Sequence, residues 1–145
     1  MAKSLRLAYP AKLETQGDGT LLVSFPDIPE ALTEGATRTE ALTEAADCLV
    51  AALGGYVNDG RDIPLPSPAR SRPLVELPAL VAAKLALYRT MHEQQIGNVT
   101  LAKRLGTVEG TVRRLLDLDH RSHIGQVEAA LKALGQRLVV EARAA

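Results

Sequence analysis

Two short stretches hold the side chains best suited to chemistry. The first is Glu109-Gly110-Thr111-Val112-Arg113-Arg114. On a helix, Glu109, Gly110, Thr111, Arg113 and Arg114 face outward around a buried Val112. Arginine can grip guanine through O6 and N7, and glutamate can accept a hydrogen bond from cytosine N4, so the pattern reads as contact with base edges. Glu109 and Arg114 are the expected base readers. Lys103, Arg104 and Arg121 suit phosphates, which set affinity and register without carrying sequence information. Thr107 and Thr111 complete the candidate DNA-contacting set. The competing reading of Arg113 and Arg114 is plain helix solubility.

The second stretch is Asp117-Leu118-Asp119-His120-Arg121-Ser122-His123. Two imidazoles beside two carboxylates are metal-ligand types, but no cysteine or further ligand joins them, so no metal is expected. A loop that touches phosphate fits better. No cofactor is implied anywhere in the chain. Cys48 is the single cysteine and is expected as a small core residue rather than a reactive thiol. A lone cysteine excludes a disulfide within the chain and fits a reducing compartment.

These groups need elements to hold them. Around the first stretch, residues 98–117 place small and apolar side chains where two crossing helices with a tight turn need them. Ala102 is small at the crossing, Gly106 suits the left-handed turn, and Leu101, Leu105, Val112 and Leu115 form a shared core. The second helix is expected over roughly Val108–Leu116. The pattern resembles the helix-turn-helix of lambda-repressor-like regulators. The resemblance implies that this helix enters the major groove. Beyond it, Val127, Ala130, Leu131 and Leu134 predict an amphipathic helix stopped by Gly135. Arg137–Glu141 reads as a short strand without a partner in its own domain, which points to pairing with another subunit.

The N-terminal half has a different grammar. Leu5, Leu7, Tyr9, Ala11 and Leu13 alternate with polar residues, which predicts one half-buried strand. Leu21, Val23 and Phe25 predict a second, joined to the first by a glycine-bearing turn at 15–20. Pro26 and Pro29 should end the pairing, because proline lacks the amide hydrogen a ladder needs. A third strand is expected over Ala31–Gly35. Thr37 then caps a helix, with Glu40 completing a capping box, and Leu42, Ala45, Ala46, Leu49, Leu53 and Tyr56 face the sheet. Between Gly60 and Pro78 lie Pro64, Pro66, Pro68, Pro73 and Pro78, a composition of semi-rigid extended spacer. Ile63-Pro64-Leu65-Pro66 could still form an edge strand, and after Pro78 the chain turns helical.

Composition separates the halves further. Residues 1–60 carry four basic against nine acidic side chains, a balance of −5, while residues 61–145 carry thirteen against eight, a balance of +5. Opposite signs suggest a cationic partner for one half and nucleic acid for the other. With 46% hydrophobic and 23% charged residues the chain is of ordered, globular type. No apolar run approaches the roughly 20 residues of a membrane span, and the N-terminus lacks a signal-peptide core, so a soluble cytoplasmic protein is expected.

The ordered signals Tyr9-Pro10-Ala11, Asp18-Gly19, Phe25-Pro26-Asp27-Ile28-Pro29, Thr33-Glu34-Gly35-Ala36-Thr37 and the following Glu40-Ala41-Leu42 resemble the antitoxin domain of the HicB family. The resemblance covers about the first 65 residues. At Glu30-Ala31 the chain departs from the family's pattern, which favours glycine after the second proline. The resemblance implies for the N-terminal part a small antiparallel sheet with a packed helix, similar to a truncated ribonuclease H, and a HicA-like ribonuclease toxin as partner. Together with the all-α helix-turn-helix domain and its short C-terminal strand, the expected architecture is α+β. The proline boundary and the charge split divide it into residues 1–65 as a toxin-binding domain, 66–78 as a proline-rich linker and 79–145 as a DNA-binding and dimerisation domain. The helix-turn-helix and the unpartnered strand point to operator DNA and to a homodimer, or a tetramer built from such dimers. Asp18, Asp27, Glu30 and Glu34 are the candidate toxin contacts. A ribonuclease-H-like fold raises the question of two-metal nuclease chemistry, but Asp18 and Asp27 sit in turns, Asp47 on a helix, and no strand interior carries a carboxylate. No catalytic residue is therefore expected. The alternative function is a stand-alone transcriptional regulator whose N-terminal domain senses a ligand or partner.

Overall fold

A computed structural model describes residues 6–144. The chain divides into two compact units, residues 1–82 and 83–145, and among the described residues the architecture is α+β, with small antiparallel sheets and five helices.

In the first unit β2 (Lys12–Thr15), β3 (Leu21–Ser24) and β4 (Leu32–Gly35) form an antiparallel sheet in that order. Leu13 lies opposite Val23, and Val23 opposite Thr33. The single strand expected over Leu5–Leu13 is in fact two. β1 (Ala8–Pro10) leaves this sheet and pairs antiparallel with β5 (Leu74–Glu76), Tyr9 opposite Val75. The break falls after Pro10, which has no amide hydrogen to offer, and Ala11 N–H still donates to Pro73 O at 2.9 Å. Nor does β1 alternate: Ala8, Tyr9 and Pro10 are all buried. Leu5 lies outside the described residues. The Tyr9 hydroxyl donates to Pro64 O at 2.7 Å, so the proline-rich segment packs on the unit by specific bonds. Within the stretch expected as a spacer, Leu74–Glu76 is a strand: prolines at 73 and 78 bound it without occupying a position that must donate.

The β3–β4 connection is two consecutive turns, Ile28 N–H to Phe25 O and Ala31 N–H to Ile28 O. Each carries proline at its second position, where the fixed φ is already right. Helix α1 (Arg38–Asn58) starts at Thr37, whose Oγ1 accepts from Glu40 N–H at 3.2 Å. Its buried face is Ala41, Ala45, Leu49, Leu53 and Tyr56, a row shifted from the expected one, since Leu42 and Ala46 are only half-buried. The shift follows from Gly35. A Cβ there would stand 2.5 Å from Ala41 N and 2.6 Å from its Cα, so the strand end meets α1 directly at Ala41. Cys48 is half-buried rather than in the core, and its Sγ–H donates to Leu32 O at 3.4 Å.

Helix α2 (Ala79–Gln94) starts within the first unit's residues and continues as the opening helix of the second. In the second unit α3 (Asn98–Leu105), α4 (Glu109–Leu116) and α5 (Ile124–Ala133) follow. Leu101, Ala102, Val112 and Leu115 are buried with Val127, Ala130, Leu131 and Leu134, as their spacing predicts, while Leu105 is half-buried. No strand forms over 136–144; Val139 and Val140 are 76% and 73% exposed. A strand needs a neighbour for its backbone groups, and the expected one at Arg137–Glu141 finds none among the described residues.

Candidate functional site

Helices α3 and α4 meet at Gly106, which adopts φ 67° and ψ 33°. In that left-handed conformation Thr107 N–H reaches back to Ala102 O at 2.9 Å, and Gly106 N–H to Lys103 O at 3.2 Å, closing the end of α3. Val108 is extended and starts α4 without a side-chain cap. The helix thus begins one residue later than expected, at Glu109.

Lys103 and Arg104 lie exposed in the last turn of α3, Arg113 and Arg114 in the last turn of α4, and Arg121 on the loop beyond. Two cations in each final turn also oppose the negative end of the helix dipole. Glu109 is less available than a base reader would be: its Oε1 accepts from Asn98 Nδ2 at 3.2 Å, and its Oε2 lies 3.3 Å from Arg113 Nη1. Thr107 Oγ1 donates to Thr111 Oγ1 at 3.1 Å, and Arg114 Nη2 to Thr111 at 3.4 Å. Both guanidiniums lie over Gly110, where an added Cβ would meet them at ordinary contact distances of 3.6 and 3.7 Å.

The loop after α4 is built from its own polar groups. Asp119 N–H donates to Asp117 Oδ1 at 3.0 Å, and His120 Nδ1 lies 3.0 Å from Ser122 Oγ. His123 is the N-cap of α5. Among the described residues no three of histidine, cysteine, aspartate and glutamate come together as a metal would require.

Lys84 was not among the expected site residues. No part of it is exposed, and its Nζ donates to the carbonyls of Arg114 (3.1 Å), Asp117 (2.6 Å) and His120 (2.7 Å). Burial pushes its pKa down, against the opposing pull of the Asp117 and Asp119 charges. A signal was present in the sequence. Val81, Leu85 and Tyr88 are spaced with residue 84 on one helical face, and a lysine amid an apolar face must find acceptors there.

The four acids singled out in the first unit have diverged. Asp18 Oδ1 accepts from Thr20 N–H (3.0 Å) and Thr20 Oγ1 (2.7 Å), and the Thr20 hydroxyl chiefly lowers its pKa. Asp27 Oδ2 accepts from Ser67 N–H (2.9 Å) and Oγ (3.0 Å). Glu30 accepts from Tyr56 OH (2.7 Å) and Arg61 Nη1 (2.9 Å), and the Arg61 guanidinium lies 3.9 Å over the Tyr56 ring. The Tyr56 hydrogen bond, then that of Arg61, holds the Glu30 carboxyl below its ordinary range. Glu34 stands exposed on β4, as do Glu40, Glu44 and Asp47 along one side of α1. None of these three helical acids is among the candidate contacts: Glu40 reads as part of a capping box, Asp47 as a carboxylate on a helix, and Glu44 carries no signal beyond its place on the helix surface.

Among the described residues no helix is long and apolar enough to cross a membrane. The family described as the HicB-like antitoxin of bacterial toxin–antitoxin systems matches residues 8–86. The chain is 45% identical over 138 residues to antitoxin HicB 2 of Photorhabdus laumondii, covering 95% of this chain and 96% of that protein. It is 41% identical to antitoxin HicB of Escherichia coli K12, over 91% and 96% of the two chains. Antitoxin HicB of Pseudomonas fluorescens Pf0-1 is 40% identical over the full length of both.

Proposed function

Because the chain belongs to the HicB-like antitoxins of bacterial toxin–antitoxin systems, we propose that it neutralises a HicA-like ribonuclease toxin by direct binding and represses its own operon by binding operator DNA. Antitoxin is a non-enzymatic role, and the chain is not an enzyme. The carrying observation is identity of 40–45% to named antitoxins across nearly the whole chain, second unit included.

Toxin binding falls to the N-terminal domain, whose sheet and α1 are read as a truncated ribonuclease-H-like fold. Inhibition is steric and electrostatic, an acidic surface covering the toxin's RNA-binding face in the cytoplasm. Glu34 with Glu40, Glu44 and Asp47 supplies exposed charge, whereas Asp18, Asp27 and Glu30 already have donors within the chain. The boundaries 1–65, 66–78 and 79–145 remain the proposed division of labour, with one refinement: a fragment ending at residue 65 lacks β5, so a toxin-binding fragment should extend to residue 78.

Residues 79–145 are the DNA-binding and dimerisation domain. Helices α3 and α4 are read as a helix-turn-helix, with Arg114 reading bases and Lys103, Arg104 and Arg121 on phosphates. The Asn98 and Arg113 bonds to Glu109 would have to open for that carboxylate to meet a base. One short recognition helix makes too few contacts for a tight operator complex, so a homodimer on two half-sites about one helical turn apart is expected. The Leu138–Val140 segment, with Val139 and Val140 exposed, is read as a strand completed by the second subunit.

Co-expression with the neighbouring reading frame tests the main reading. The two proteins should co-purify and the chain should relieve the toxin's growth arrest; failure of both overturns the antitoxin–toxin pairing. Light scattering should give a dimer for the intact chain and a monomer for a chain ending at Gly135. An intact chain that is monomeric at micromolar concentration removes the dimer.

A further inference from the structure

Among the described residues, Lys84 is the charged group with none of its surface exposed. An ammonium has three donors and no acceptor, and here each proton has one carbonyl: Arg114, Asp117 and His120, at 3.1, 2.6 and 2.7 Å. The three carbonyls belong to different parts of the structure. Arg114 is in the last turn of α4, Asp117 is its C-cap, and His120 lies in the following loop. Each of these carbonyls also accepts from the backbone: Arg114 O from Asp117 N–H at 3.3 Å, Asp117 O from His120 N–H at 3.1 Å and His120 O from Ser122 N–H at 3.0 Å, so the lysine is not needed merely to satisfy them. Burying it is costly, and an apolar side chain at the same place on α2 would avoid the cost. What the lysine adds is simultaneous fixation of three backbone points. One of them carries the Arg114 side chain, and the fixed loop leads into Arg121.

We propose that Lys84 is a positioning residue for DNA recognition, holding the C-terminal end of α4 and the loop to Arg121 in one arrangement through the carbonyls of Arg114, Asp117 and His120. The proposal rests on the reading of α4 as the groove-entering helix. Two parallel N–H bonds from one guanidinium to one base tolerate little displacement, so a loosened α4 terminus loses base discrimination before it loses phosphate contact.

The test uses the full chain, a duplex spanning the region upstream of its gene, and a scrambled duplex of equal length and composition. Lys84→Met keeps much of the side chain's volume but removes the ammonium bond that ties the three carbonyls together, leaving each with its backbone donor. Val127→Ala removes buried volume from α5 instead and serves as the control for lost stability alone. All variants are compared at temperatures where circular dichroism shows them folded. Lys84→Met should reduce the preference for the upstream duplex about 5- to 150-fold, the worth of one bidentate base contact, with binding to the scrambled duplex little changed. Val127→Ala should keep the wild-type preference. If Lys84→Met does not fold, Lys84→Gln, with two N–H donors on a shorter stem, is read in its place against the same outcomes. A folded Lys84 variant with the wild-type preference overturns the proposal and leaves the groove reading intact. A wild-type chain that fails to prefer the upstream duplex overturns the groove reading itself, before any variant is measured.

Discussion

In the first unit, carboxylates placed at turns are engaged by the chain: Asp18 by Thr20, Asp27 by Ser67, Glu30 by Tyr56 and Arg61. In the second, the cations at the helix ends are exposed, Lys103 and Arg104 on α3 and, with bonds to Glu109 and Thr111, Arg113 and Arg114 on α4, while one lysine goes inside to hold backbone. The contrast separates charges that maintain a fold from charges that can meet a partner. A carboxylate that already accepts two hydrogen bonds keeps some acceptor capacity, but it is held in one orientation, and turning it toward another molecule means breaking those bonds, a cost set against the new contact. An exposed Arg104 or Glu44 carries no such cost. Sign alone therefore does not identify a binding surface, and the bonds each group already makes must be considered with it.

The largest effect that would sharpen this contrast comes from Gly35. Gly35→Ala drives a Cβ into the Ala41 backbone and should destabilise the first unit by about 3 kcal/mol, the upper range for overpacking. Thermal denaturation checks this. Toxin binding should weaken while operator binding persists, and parallel loss of both would show that the units do not separate as described. Next in size, Arg114→Ala should weaken operator binding by about 1–3 kcal/mol and relax preference at one base pair. Competition with single-base operator variants reads this directly; unchanged preference at every position would remove Arg114 from the base readers. Lys103→Ala should weaken binding to all duplexes alike and reduce the salt slope by about one. An undiminished slope in a salt titration would take Lys103 off the phosphates.

The smallest effect concerns acid stability. The folded-state pKa of Glu30 lies below its ordinary 4.5, so its contribution to stability is present above that value and is lost as pH falls through the lowered one. Glu30→Gln should flatten the fall of the first unit's melting temperature between about pH 5 and about pH 3. The same slope in variant and wild type would mean that the Tyr56 and Arg61 bonds carry no net linkage.

Much of this was legible in the residues because the signals were local. Thr37 and Gly106 announce helix ends by chemistry that acts within a few residues, and the apolar spacing in α5 is a property of that helix alone. Where the reading failed, the deciding contact was remote in sequence. Nothing near Tyr9 says that residues 74–76 will lie beside it, so a run that alternates on paper became two strands with different partners. The α1 face was displaced because Gly35 admits Ala41, which local helical periodicity cannot reveal. The Arg137–Glu141 segment has strand-forming residues but no strand neighbour among the described residues, and propensity alone does not form a strand. At the candidate site, Lys103, Arg104, Arg113, Arg114 and Arg121 stand exposed as expected, whereas Lys84 acts on residues 30 and more positions away.

The β1–β5 ladder has a kinetic consequence. It joins the eighth residue of the chain to the seventy-sixth, so a large loop must close before those strands can pair. Loop closure costs entropy before non-local contacts repay it, and domains with such contacts fold more slowly than locally wired ones. During synthesis the N-terminal strand must wait until the segment through Glu76 has cleared the ribosome, with its amides and the Tyr9 ring uncovered meanwhile. The second unit is wired over shorter spans, so closure of the β1–β5 pair is expected to be the slower event in the folding of this chain.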